Sequence, residues 1–132
     1  MALGELIQEG SGKITGVRVL SDGKLEISNQ GSGKLLGIEC NEMYTAVSTP
    51  QPGGGFTLEA NGVIMTKDGD AVVVKISGVG RPTGAGFKAS YRGGAISQTA
   101  SPRLARLNNS TVSWETETDE AGNYRLKVWE WK

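Results

Sequence analysis

Short runs of β-branched and aromatic residues recur along the whole chain and are separated by clusters of glycine, asparagine, aspartate and proline. No window sustains the period of a helix over several turns, so the pattern is typical of an all-β chain. The candidate strands are residues 4–10, 12–20, 24–30, 33–48 with a break near Asn41, 55–66, 70–79, 86–92, 94–100, 110–118 and 123–131.

Three turns are well marked between these candidate strands. Asp-Gly pairs stand at 22–23 and 68–69, and the cluster 119–123 contains a further aspartate, glycine and asparagine. An Asp-Gly pair between two apolar runs is a strong hairpin signal. The stretch 49–55, with its prolines and consecutive glycines, is predicted to be a loop at one end of a barrel.

Glycine supplies 20 of the 132 residues, about twice its usual share in proteins. Because the chain also keeps regular apolar alternation, we interpret the glycines as turns, bulges and strand bends. Many short strands with hairpin-length links and no crossover helices predict a closed antiparallel β-barrel of about eight to ten strands. We expect one domain over residues 1–132, with a β-sandwich as the alternative fold.

The last hairpin allows its register to be predicted. If Thr118 pairs with Tyr124, then Glu117 faces Arg125 and the apolar side chains fall on one face. The remaining pairs are Thr116 with Leu126, Glu115 with Lys127 and Trp114 with Val128. This register places charged pairs in solvent and apolar residues in the core.

A sequence echo links the first two candidate hairpin strands. Residues 8–17 resemble residues 29–38, and both contain Gly-Ser-Gly-Lys. Neither copy has the spacing of a phosphate-binding loop, and both run into strands rather than into a helix. We interpret the echo as glycine bends at the same level of two neighbouring barrel strands.

Composition narrows the classes of function. Acidic and basic residues are equal in number at 14 each, which disfavours a nucleic-acid partner. Histidine is absent, which removes the usual triads and acid/base dyads and favours a protein that is not an enzyme. Asp68 and Asp70 suit a turn better than a metal site, so we expect no metal and no cofactor.

The expected compartment follows from three features of the sequence. Cys40 is the only cysteine, so no disulfide can form within the chain. Residues 1–7 lack the basic start of a signal peptide, and no apolar stretch is long enough to cross a membrane. We therefore expect a cytoplasmic protein with no membrane partner.

Three glutamates stand within strand-like runs and could face a barrel interior. Alternation places Glu59 on the polar face of its strand. The sequence leaves two positions for Glu39, one facing the barrel interior and one facing solvent. Glu130 shares the parity of Leu126 and Val128, so it could be a buried carboxylate near a barrel end, or part of a frayed terminal strand.

Three functions compete on this basis. The first is a barrel that binds a small apolar ligand, lined by Tyr44, Phe87, Tyr91 and Trp114 with Glu130 as a polar anchor. The second is a structural or interaction protein that forms a homo-oligomer. The third is an isomerase or cyclase that uses interior carboxylates, with Glu39 or Glu130 as the ionisable group.

The expected homo-oligomer depends on two tryptophans near the C-terminus. Trp129 and Trp131 fall on the outer face of the last strand. Large aromatic side chains on the outside of a barrel predict a covered surface, either between subunits or against the N-terminal residues 3–7.

Several segments together resemble a family of small uncharacterised prokaryotic proteins. These segments are the Gly-Ser-Gly-Lys near the start, residues 62–70, residues 107–109 and the ending 127–132. The glycine-rich strand pattern is more distantly similar to allene-oxide-cyclase-like and other calycin-type barrels. That resemblance implies a barrel with an apolar interior and frequent oligomerisation, and it transfers no catalytic residues.

Overall fold

The computed structural model describes residues 3–131 as eight antiparallel strands in one closed barrel, with two short 3-10 helices. The ends of the expected domain, residues 1, 2 and 132, lie outside the described residues. The strands are β1 (Leu3–Val19), β2 (Leu25–Leu35), β3 (Ile38–Pro50), β4 (Phe56–Thr66), β5 (Ala71–Pro82), β6 (Ala89–Thr99), β7 (Thr111–Thr118) and β8 (Asn123–Trp131). The 3-10 helices are η1 (Ser21–Gly23) and η2 (Pro102–Leu107).

Each strand pairs with the next along the chain, and β8 pairs with β1. Within the described range the sheet therefore closes on itself and leaves no open edge. The predicted closed antiparallel barrel is confirmed, and the sandwich alternative is wrong because two open sheets are not present in this part of the chain.

The strands are longer and fewer than the sequence pattern predicts. The candidates 4–10 and 12–20 are one strand, β1, and the candidates 86–92 and 94–100 largely merge into β6. Glycines inside these strands continue the ladder, since Gly10 pairs directly with Gly33. The break predicted near Asn41 is wrong, because the chain turns earlier, at residues 36–37, where both backbones are left-handed.

The predicted turns and the register of the last hairpin are confirmed. Turns occur at 21–23, at 67–69 and at 119–122, and Thr118 pairs with Tyr124 as expected. The charged partners differ from the prediction, however. Arg92 on β6 lies 3.0 Å from Glu117 and 3.5 Å from Glu115, so the acidic residues of β7 pair with the strand on their other side.

The η2 helix closes one end of the barrel. Leu104 and Leu107 are buried and join the main hydrophobic core. Arg103 binds Asp68 at 2.6 Å and Asp70 at 2.8 Å, which ties η2 to the turn between β4 and β5. No helix in residues 3–131 has the length and apolar character needed to span a membrane.

Candidate functional site

The barrel lumen contains a cavity of about 120 Å³. Its wall is formed mostly by aliphatic and aromatic side chains that alternate inward along the eight strands. Among the residues that the structure describes, the wall contains no lysine, arginine, aspartate or glutamate. Leu107 of η2 also contributes, so the cap forms one end of this cavity.

Three of the residues predicted to contact a ligand line this cavity. They are Tyr44 on β3, Tyr91 on β6 and Trp114 on β7. The indole Nε1 of Trp114 donates a 3.0 Å hydrogen bond to the Gly94 carbonyl, which fixes the ring. The ring of Tyr91 lies 5.6 Å from that of Phe56, at a tilt of 53°. The cavity wall is therefore held by aromatic side chains with defined contacts.

The other two predicted ligand residues lie away from the cavity wall. Phe87 is in the link between β6 and the preceding strand and is 39% exposed. The Glu130 side chain is 17% exposed and binds Arg106 at 3.1 Å. Arg106 also lies 3.5 Å from Glu5, so Glu130 belongs to an ion-pair group that holds the η2 cap and does not line the cavity.

The other predicted carboxylates point outward. Glu39 has a side chain that is 69% exposed and pairs with Lys67 at 3.8 Å, so it occupies the solvent-facing position of the two that the sequence allowed. Glu59 is exposed and accepts a 3.0 Å hydrogen bond from Ser77 on the outer surface, as alternation predicted. Neither Glu39 nor Glu130 lines the lumen, which leaves the isomerase or cyclase hypothesis without its named acids.

The interior carboxylate is Glu42, which the sequence reasoning missed. Glu42 is only 1% exposed and lies on β3. Its Oε2 accepts a 2.8 Å hydrogen bond from the Tyr124 hydroxyl, and its Oε1 accepts a 3.4 Å bond from Gln8 Nε2. The same Gln8 nitrogen donates to the Tyr44 hydroxyl at 3.1 Å. We call Gln8, Glu42, Tyr44 and Tyr124 the polar cluster.

The paired glycines of β1 and β2 make room for the polar cluster. Gly10 faces Gly33, and Gly12 faces Gly31. A Cβ atom at Gly10 would overlap the Glu42 carboxylate, and one at Gly31 would overlap the Tyr124 hydroxyl. The Gly-Ser-Gly-Lys echo therefore provides a surface free of side chains, across which β3 and β8 reach each other.

Burial governs the acid-base properties of this cluster. Burial raises the pKa of Glu42 above its ordinary value, and hydrogen bonds from Tyr124, Gln8 and Tyr44 oppose that shift. Burial, followed by the charge of Glu42, also raises the pKa of Tyr44 and Tyr124. Burial raises the pKa of Cys40 to about 11, so little reactive thiolate forms near neutral pH.

Strand alternation could have located Glu42. It shares the parity of Tyr44, which the sequence analysis had already placed in the lumen, so both must face the same side of β3. A second missed residue is Asn29, which lines the cavity and whose buried Oδ1 has no hydrogen-bond partner within residues 3–131.

No group of three or more acidic or cysteine side chains in residues 3–131 is arranged to hold a metal ion.

On the outer surface, Trp131 pairs with Leu3 and is 51% exposed. Trp129 is half-buried opposite Leu6. The two tryptophans therefore lie beside the N-terminal part of β1, which is one of the two predicted alternatives, and the ring of Trp131 stays half exposed.

Comparison with solved structures finds the same fold in three bacterial proteins. A conserved protein of unknown function from Rhodopseudomonas palustris matches with a TM-score of 0.81 and 17% identity, covering 98% of this chain and 97% of that one. A protein of unknown function from Clostridium acetobutylicum matches with a TM-score of 0.84 and 14% identity over 100% of both chains. A β-barrel-like protein from Acinetobacter baumannii matches with a TM-score of 0.82 and 13% identity, covering 99% and 96%.

No family model and no curated protein matches the chain. At the identities above, the structural matches establish a shared fold and nothing about activity. The expected resemblance to small, uncharacterised prokaryotic β-barrels is confirmed at the level of the fold.

Proposed function

We propose that this protein is a binding barrel for a small, largely apolar molecule held in the lumen. The observation that carries the proposal is the apolar-walled cavity of about 120 Å³. An engineered apolar cavity of roughly 150 Å³ stays dry and binds benzene, so this volume suits a ligand of about one ring. The charge-free wall favours a neutral ligand, because an unpaired buried charge is costly.

Toluene titration followed by amide NMR tests this proposal. Saturable shifts are expected for the residues that line the cavity, including Tyr91 and Trp114. Ala60→Leu adds bulk to the lumen wall and should abolish those shifts. Ala71→Leu makes the same change on the exposed face and should leave them intact. Shifts spread over the outer surface, or equal in both variants, would contradict the proposal.

A second function, self-association, is favoured by the exposed ring of Trp131 next to Leu3. Exposed tryptophan is enriched in subunit interfaces. Light scattering over a range of concentrations should then show an oligomer that Trp131→Ala dissociates. A monomer at every concentration would remove this second function.

A cytoplasmic location and the calycin-like character stay predictions from the sequence.

A further inference from the structure

The polar cluster sets which hydrogen-bonding atoms face a ligand. Three of its members, Gln8, Tyr44 and Tyr124, line the cavity, whereas Glu42 lies behind them. Each N–H or O–H group can donate one hydrogen bond, so the donors used to satisfy Glu42 are unavailable to anything in the lumen. The buried carboxylate therefore controls the polarity of the wall in front of it.

The available atoms can be counted group by group. Both N–H bonds of the Gln8 amide are occupied, one by Glu42 and one by Tyr44, so its free atom is the carbonyl Oε1. The single hydroxyl hydrogens of Tyr124 and Tyr44 are both directed at Glu42, which leaves only lone pairs on these two oxygens. All three groups can accept a hydrogen bond from a ligand, and none has a hydrogen left to donate.

Asn29 adds an unpaired carbonyl oxygen, beside amide N–H groups that can donate, to the same side of the lumen. It is the direct cross-strand neighbour of Tyr44 and lines the cavity. Its Oδ1 is buried and receives no hydrogen bond from any residue in the described range 3–131. A buried carbonyl oxygen without a donor costs free energy, and a ligand N–H or O–H group would remove that cost.

We infer that the cavity selects a ring-sized apolar ligand that carries a hydrogen-bond donor, and that Glu42 is the positioning residue for this specificity. The inference rests on the proposed binding function. The hydroxyls of Tyr91, Ser97 and Thr116, elsewhere on the wall, can donate or accept and so do not discriminate. The hydroxyl hydrogen of Thr118 is directed at the Phe87 carbonyl. Selection for a donor comes from the β1, β2, β3 and β8 side alone.

Pyrrole and furan are matched probes for this inference. The two rings have nearly the same size, but pyrrole offers an N–H donor and furan offers only an acceptor. One hydrogen bond to an otherwise unpaired acceptor should make pyrrole bind about five- to tenfold more tightly than furan. The measurement is the dissociation constant of each probe at a series of pH values, because the donor count applies to the ionised form of Glu42 and burial raises the pKa of this group.

Glu42→Gln tests the role of the carboxylate. A glutamine at this position supplies its own N–H donors, so the Tyr124 hydroxyl no longer needs to point at it and can donate into the lumen. The preference for pyrrole should fall to about twofold or less, since the wall then offers donors as well as acceptors. Glu59→Gln makes the same substitution on the outer surface and should keep the full preference.

The outcomes separate this inference from the proposed function. If pyrrole and furan bind equally to the natural sequence while toluene binds in the lumen, the donor inference is wrong and the binding function stands. If none of the three probes enters the lumen, both are wrong. Should Glu42→Gln fail to fold, Asn29→Leu provides the second test, because it removes one acceptor and should reduce the preference for pyrrole.

Discussion

Tyr124 and Glu42 are joined by a 2.8 Å hydrogen bond although they are separated by 82 positions in the sequence. The bond passes across β1 and β2 at the paired glycines, where no side chain stands between the two groups. Barrel closure, the glycine echo and the buried carboxylate are therefore parts of one arrangement. Removing the Glu42 carboxylate from water costs free energy, and hydrogen bonds from the neighbouring side chains offset that cost.

Gly10→Ala should destabilise the barrel by about 1–3 kcal/mol, because the added methyl group would overlap the Glu42 carboxylate. Gly16→Ala is the matched control on the same strand, since a Cβ there has no atom within 4 Å. Its effect should stay within about 0.5 kcal/mol. Urea denaturation measures both. Equal losses in the two variants would show that the space over Gly10 is not needed.

The stability of the protein should depend on pH through Glu42. Because burial raises the pKa of Glu42 above its ordinary value of 4.5, the folded state holds this proton more tightly than the unfolded state. The free energy of unfolding therefore falls as pH rises through the folded pKa, and this contribution is fully present only below the unfolded pKa. Tyr44, Tyr124 and Cys40 have raised pKa values and ionise at higher pH.

Glu42→Gln removes this titration and provides the comparison. As pH rises from 4.5 through the raised pKa of Glu42, the natural protein should lose stability relative to the variant. Denaturant unfolding at several pH values measures the difference. A difference that stays constant, or that grows in favour of the natural protein as pH rises, would contradict the raised pKa.

The η2 cap is predicted to be part of the core rather than a loose link. Leu104→Ala should cost about 2–5 kcal/mol, because Leu104 is almost completely buried. Leu3→Ala removes the same atoms from a side chain that is 52% exposed and should cost far less. Thermal unfolding compares them, and similar melting temperatures would mean that η2 does not close the barrel.

Cys40 should resist thiol reagents in the folded protein. Its side chain is buried and its pKa is raised to about 11, so little thiolate exists near neutral pH. Absorbance with a disulfide reagent should show slow reaction in buffer and complete reaction in denaturant. Rapid stoichiometric labelling of the folded chain would place Cys40 at an accessible position.

Local signals in the sequence were sufficient for the barrel and its last hairpin. In the last hairpin, apolar and charged side chains alternate on both strands. This alternation fixes the pairing of Thr118 with Tyr124, since a shift by one residue would expose the apolar face. The length of β1 was not predictable in the same way. Glycines at 10 and 12 resemble a turn locally, and only their pairing with β2 shows that the strand continues.

The candidate site was predicted in part. Tyr44, Tyr91 and Trp114 follow from the inward parity of their strands. The η2 helix, in contrast, has only six residues, so its two leucines give no helical period that a sequence window can detect. Glu42 was missed because its three partners come from strands at opposite ends of the chain and from its own strand, and only barrel closure brings them together.

Xenon pressurisation of crystals tests the central claim most directly, because xenon occupies dry apolar cavities without needing a polar contact. The account predicts one xenon atom inside the barrel, in contact with side chains such as Ile64, Val74 and Trp114. A lumen that takes up no xenon, or that holds only ordered water bound to its wall, would contradict an apolar binding cavity.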